Sequence, residues 1–160
     1  TIIQENTTGS VRQTLSYEIS LRVLLLLDAV RTKGATIDRI AAYDFITTYG
    51  SEFGVSSESL HGSNRYNFSE LAEKRMQCTA AIKDLVLDSF VSVSRTHSDF
   101  LYRITDLGVK YANELSSVYA SEYLHTAKKT HRRYKNQSDT SLTEYINEKA
   151  LHSLRRQIDA

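Results

Sequence analysis

Apolar residues recur at helical spacing from Gln13 to Thr32, where Ile19, Val23, Leu26, Leu27 and Val30 share one face. Gly34 supplies a stop. A second periodic stretch, roughly Ile37 to Tyr49, groups Ile37, Ile40, Ala41 and Phe45 and closes at Gly50. From Ser51 to Asn67 the pattern is lost among serines and two glycines, and a loop of that length inside a domain is often functional. Helical spacing returns in SELAEKRMQCTAAIKDLVLDS, residues 69–89, with Leu71, Cys78, Ile82, Leu85 and Val86 on the apolar side. The period then falls to two. FVSVSR and FLYRI alternate apolar and polar residues around the tip Thr96-His97-Ser98-Asp99, which predicts a β-hairpin. Thr105 stands where an N-cap belongs, just before Leu107, Val109, Ala112 and Leu115.

After Ser117 the pattern stays helical through Tyr134, and Asn136 to Thr140 is a polar break. Ser141 with Glu144 reads as a capping box for a last amphipathic helix carrying Leu142, Tyr145, Ile146, Leu151, Leu154 and Ile158. Its apolar side predicts one of two fates: packing back on the first helix, or docking on another subunit through Tyr145, Leu151 and Leu154. A long helix, a two-stranded ribbon and a packing helix, in that order, form the signature half of a winged-helix module. The fold class expected is therefore mainly α with a small β-hairpin: a winged-helix-like domain with N-terminal and C-terminal helical extensions. Its parts are a flexible N-terminus at 1–12, the domain at 13–118 and a helical extension at 119–160.

Composition narrows the function more than the fold. The chain has 160 residues, 41% of them hydrophobic, enough for one core, and it lacks proline, which suits a helical protein. A net charge of +1 offers no global attraction to nucleic acid or an anionic membrane. One cysteine excludes an internal disulfide and a cysteine-based zinc knuckle. No signal peptide is read, and Val23–Leu27, flanked by Arg22 and Asp28, is too short to span a bilayer. A cytoplasmic protein without a membrane partner is expected.

Catalytic patterns fail. The five histidines, His61, His97, His125, His131 and His152, show no pair at metal-ligand spacing. Cys78 lies on an apolar helix face, as a small buried hydrophobe would. Gly50 and Gly54 make no phosphate-binding fingerprint. No catalytic, cofactor-binding or metal residue is assigned, and no enzyme activity or cofactor is expected. The charges point to binding instead. Glu70, Glu73, Asp84 and Asp88 against Lys74, Arg75 and Lys83 make the long helix slightly acidic, which opposes phosphates. Glu70, Glu73 and Lys74 are therefore candidates for a protein contact. The candidates for a nucleic-acid contact are Lys128, Lys129, Arg132, Arg133 and Lys135, near His131, together with Arg95 on the hairpin. The alternative for that cluster is a solvated helix end whose cations suit the C-terminal dipole.

The runs YEISLRVLLLLDAV, IDRIAAYDFITTYGSEFG, SLHGSNRYNFSELAEKRM and YRITDLGVKYANELSSVYASEYL, in that order, resemble the middle component of bacterial ABC-type three-component systems, including Lamassu-like defence operons. The resemblance covers roughly residues 15–134 and rests on the arrangement of elements rather than on any one motif. Where the family carries a proline after Ser-Leu-His, this chain has Gly62. The resemblance implies an SMC-like ATPase subunit and an effector subunit, often a nuclease, as partners, with DNA met through the complex. It also implies a kleisin-like or winged-helix-like coupling role, with ATP and magnesium belonging to the ATPase. A winged-helix transcription regulator is the alternative.

Overall fold

The leucine-rich stretch of the first helix is apolar all the way round, and a helix of that kind has to sit inside a protein. In the computed structural model it does. The structure describes residues 2–60 and 69–159, with side chains described for 16–60, 69–156 and 158–159. The first helix, α1, spans Ile2–Val30, and Val23, Leu24, Leu25, Leu26 and Leu27 are all buried. Around it stand α2 (Ile37–Thr48), α3 (Glu70–Leu87), α4 (Asp106–Asn113) and α5 (Val118–Tyr134). The hairpin of β1 (Val91–Arg95) and β2 (Phe100–Ile104) follows α3, and α6 (Asp139–Ile158) closes the chain. Among the described residues the fold is thus six helices and one two-stranded antiparallel sheet, as the periodicity predicts.

The hairpin pairs Val91 with Ile104, Val93 with Tyr102 and Arg95 with Phe100. Ala35, between α1 and α2, adds one further bridge: it exchanges two backbone hydrogen bonds of 2.9 Å with Tyr102. That approach requires the glycine before it. Gly34 has φ +69°, and a Cβ there would lie 2.6 Å from the Tyr102 carbonyl oxygen. Gly108 meets a similar constraint in α4, where a Cβ would stand 2.3 Å from the Phe90 carbonyl oxygen. Thr105 caps α4 as expected, its hydroxyl accepting from the Gly108 amide and donating to the Ser89 carbonyl. Ser89 itself is left-handed, at φ 65°, and ends α3 with amide bonds from Ser89 to Val86 and from Phe90 to Leu85.

Two boundaries and one packing partner differ from the sequence expectation. The α1 backbone is helical from Ile2, whereas apolar periodicity marks a start only at Gln13, because the preceding residues carry no apolar stripe. Helix α6 begins at Asp139, with Ser138 rather than Ser141 as its cap; the Ser138 hydroxyl accepts from the Ser141 amide. It packs on α2, not α1, through Leu142, Ile146 and Ala150, because α1 is already enclosed by its other neighbours. The departure at Gly62 falls in 61–68, outside the described residues.

The α3 core face is built as predicted: Cys78, Ile82 and Leu85 are buried, and Leu71 and Val86 pack against them half-buried. Leu85→Ala should lower unfolding stability by about 2–5 kcal/mol, the range for truncating a buried leucine. Leu154→Ala, at a position 42% exposed, should change it by about 0.5 kcal/mol or less. Denaturant midpoints of the two variants measure this directly, and equal losses would misplace the α3 core face.

Candidate partner and nucleic-acid surfaces

Among the described residues Asp44 is the most buried charge, 2% exposed in the middle of α2. Its carboxylate collects three donors from three other helices. Arg22 of α1 reaches Oδ1 through Nε at 3.0 Å, Lys74 of α3 reaches Oδ2 at 3.0 Å, and the Tyr123 hydroxyl of α5 donates to Oδ1 at 2.6 Å. Arg22 also binds Glu18 at 3.1 Å. Burial alone would favour the neutral acid, but Lys74, Arg22 and the Tyr123 bond override it and hold Asp44 well below the usual carboxylate range. Burial likewise works against the Arg22 charge, and Asp44 more than restores it. Tyr123 is pushed well above its ordinary value, by burial first and by Asp44 second.

This cluster corrects one expectation. Lys74, assigned to a partner-binding surface, is only 6% exposed, and its ammonium is committed to Asp44. Its neighbours on α3 do face outward. Glu73 is exposed, Arg75 pairs with Asp38 of α2 at 2.6 Å, and Met76 and Leu87 are each 75% exposed. Glu70 is half-buried and accepts the Tyr49 hydroxyl at 2.6 Å. Cys78 is buried, its thiol pushed up to about 12 by burial, which leaves it inert at neutral pH.

Helix α5 turns Tyr123, Thr126, Ala127 and Thr130 inward and its cations outward. Lys128, Lys129, Arg132, Arg133 and Lys135 are all exposed. Arg133 is partly engaged, donating to the Gly54 carbonyl at 3.3 Å and lying over the Tyr134 ring at 5.8 Å. Arg95 is exposed too, but on the hairpin, an element that packs against α1, α2, α3 and α4.

A groove of about 410 Å³ lies between α1, the end of α3 and α4. Leu21, Leu24 and Phe90 give it an apolar lining, and Tyr17 and Tyr111 meet across it with their hydroxyls 3.4 Å apart. Asp84 and Asp88 also line it, so the acidic side of α3 faces this groove. On α6, Tyr145 is held in cis, its ring 6.0 Å from Phe53 and 6.1 Å from Tyr134. Leu151 and Leu154 are 40% and 42% exposed. Sequence reasoning missed Arg22, Asp44 and Tyr123; the available signal was an opposite charge inside each of two apolar runs, LRVLLLL and AAYDFI.

Among the described residues, no group of three His, Cys, Asp or Glu is placed to hold a metal ion. Nor is any helix there long and apolar enough to cross a membrane. Residues 14–156 match the family model of the ABC-three component (ABC-3C) system Middle Component 2. No curated protein and no solved structure matches the chain.

The Asp44 cluster sets a pH dependence. A carboxyl depressed in the folded state adds stability that is fully present above its unfolded value, about pH 4, and is lost as pH falls through the folded value. Asp44→Asn leaves Arg22 and Lys74 buried beside a neutral amide and should cost about 3–5 kcal/mol at pH 7. Below about pH 4 the wild-type protein should lose stability more steeply than the variant. Denaturant unfolding from pH 7 to pH 2 measures both, and parallel profiles for the two proteins would count against the charged cluster.

Proposed function

The chain belongs to the Middle Component 2 family of ABC-three-component systems, and we propose that it is the non-catalytic coupling subunit of its complex. A middle component of a three-component system has partner subunits by definition. In this reading they are an SMC-like ATPase and an effector such as a nuclease, working together in the cytoplasm as an anti-phage or anti-plasmid defence system. The match over residues 14–156 carries the reading. Two structural features support it. The order α1, the Ala35 bridge, α2, α3 and the hairpin is compatible with the winged-helix arrangement of this reading, a scaffold suited to binding. The outer side of α3 sets Glu73, Asp84 and Asp88 against Arg75 and Lys83 and is slightly acidic, and the groove beside it is apolar with an acidic border, which suits a basic amphipathic segment of a protein better than a phosphate backbone.

DNA, in this reading, is met by the assembled complex, with Lys128, Lys129, Arg132 and Arg133 of α5 adding phosphate contacts and Arg95 a further one from the hairpin. Co-expression with the ATPase component of the same system tests the assignment: the two proteins should co-elute in gel filtration, and separate elution would overturn it. Replacing Lys128, Lys129, Arg132 and Arg133 by Gln should then weaken DNA binding of the complex equally across sequences. The slope of log affinity against log salt should fall by about 0.9 for each phosphate contact removed. A sequence-specific affinity that survives this change, and is lost instead on altering the exposed α3 residues Glu73 and Lys83, would identify a transcription regulator.

A further inference from the structure

A second basic feature lies where three elements converge. A cleft of about 290 Å³ opens between the turn after α1, the start of α2 and the end of α5. Its charged and titratable lining is Lys33, Arg39, Tyr43, His131, Lys135 and Asp139, and Leu101 of the hairpin also borders it. Arg39 and Asp139 answer each other. Arg39 Nε meets Asp139 Oδ1 at 2.7 Å, and the Thr36 hydroxyl donates to Oδ2 at 2.6 Å. The remaining Arg39 nitrogens reach the Tyr43 hydroxyl and the Tyr134 and Gln137 carbonyls. Asp139, the one carboxylate among the described residues of the cleft, is therefore neutralised internally, and the cleft's arginine is spent in holding the α5–α6 turn.

What remains is positive. Lys33 and Lys135 are exposed and carry no ion pair among the described residues. His131 is half-buried, with Nδ1 3.2 Å from the Tyr43 hydroxyl, so that Nε2 is the ring nitrogen outside that contact. Its proton affinity is lowered by burial first, then by Lys33, Lys135 and Arg39. Those cations are thus close enough to repel an imidazolium, and an anion placed among them would reverse that effect.

We propose that this cleft is a phosphoryl-binding site, in which Lys33 and Lys135 supply charge and His131 donates from Nε2. A nucleic-acid backbone and a free nucleotide present the same group. The backbone is the better fit, because Lys135 continues the exposed α5 row of Lys128 and Arg132 at helical spacing, so the cleft would end a phosphate track. Only that choice of source rests on the proposed DNA contact; the site itself does not.

The test follows the His131 ring protons by NMR across pH in the full chain. The probes are pyrophosphate, ATP and a short duplex at matched phosphate concentration, with chloride as control. Pyrophosphate should raise the apparent pKa of His131, because an anion favours the imidazolium. Pyrophosphate affinity, referred to a single ionisation state of the ligand, should accordingly be higher at pH 6 than at pH 8, by up to about tenfold for each unit of that rise. In the Lys33→Gln/Lys135→Gln double variant the ligand-free pKa should rise as repulsion is relieved, and the ligand-induced rise should be lost. In Lys128→Gln/Arg132→Gln the pyrophosphate response should persist. A His131 pKa unmoved by all three probes, or moved equally in the Lys33/Lys135 variant, would overturn the site. A response to the duplex at lower concentration than to ATP assigns the backbone as source. A response to pyrophosphate and ATP without one to the duplex keeps the site and overturns the DNA contact alone.

Discussion

One carboxylate ties the helices of this fold together. Asp44 takes a guanidinium from α1, an ammonium from α3 and a phenol from α5, and it stands on α2. The positive charges of Arg22 and Lys74 are balanced by Asp44 and by Glu18, so the cluster is close to neutral as a whole. That balance is what makes its burial tolerable, since an unmatched ion in such a place would cost several kcal/mol. Apolar packing is non-directional and would accept several rotations of one helix against another. Two ionic contacts and one hydrogen bond to a single carboxylate leave much less freedom. The cluster thus acts on helix register more than on net stability.

That register decides what the surface presents. Tyr123 fixes α5 from the inside, and Thr130 adds a bond to Thr47 of α2 at 3.1 Å. With Tyr123, Thr126, Ala127 and Thr130 turned inward, the intervening Lys128, Lys129, Arg132 and Arg133 have only the outer side left. Lys74 does the same for α3: once its ammonium is drawn to Asp44, Glu73 and Arg75 beside it are turned outward. The acidic and basic faces are therefore consequences of the buried cluster, since rotating either helix would break a contact to Asp44.

Local elements were readable from the chain because their signals are local. The hairpin follows from a period of two on each side of a four-residue polar tip, and its strands end within a residue of the prediction. Thr105 announces α4 by cap chemistry, whereas the break after Asn113, where Ser117 caps α5, was not read. The Asp44 cluster could not be read in the same way. Arg22, Asp44, Lys74 and Tyr123 are far apart in sequence, and each looks ordinary alone: Arg22 as the flank of an apolar run, Lys74 as one more surface charge. Only the three-dimensional packing of four helices makes them a unit. Gly34 is an intermediate case. Its role as a stop was visible, but the bridge it brings against Tyr102 was not.

Helix α6 shows how a correct apolar pattern still misleads. Leu142, Ile146, Ala150, Leu154 and Ile158 form one row of residues four apart, which reads as a single apolar stripe. A helix turns once in about 3.6 residues, so each step of four advances the row by about 40° around the axis. By Leu154 the row has rotated about 120° from Leu142. Exposure follows that rotation step by step: 0% at Leu142, 1% at Ile146, 5% at Ala150, 42% at Leu154 and 74% at Ile158. Lys149 holds the docked half, donating to the Glu52 carbonyl at 2.7 Å and lying over the Phe53 ring at 4.8 Å. The same row is core at its start and surface at its end. The cis contact expected on α1 is thus made on α2, by the first half of the helix alone, and the twist of the helix turns the apolar residues of its second half away from that contact.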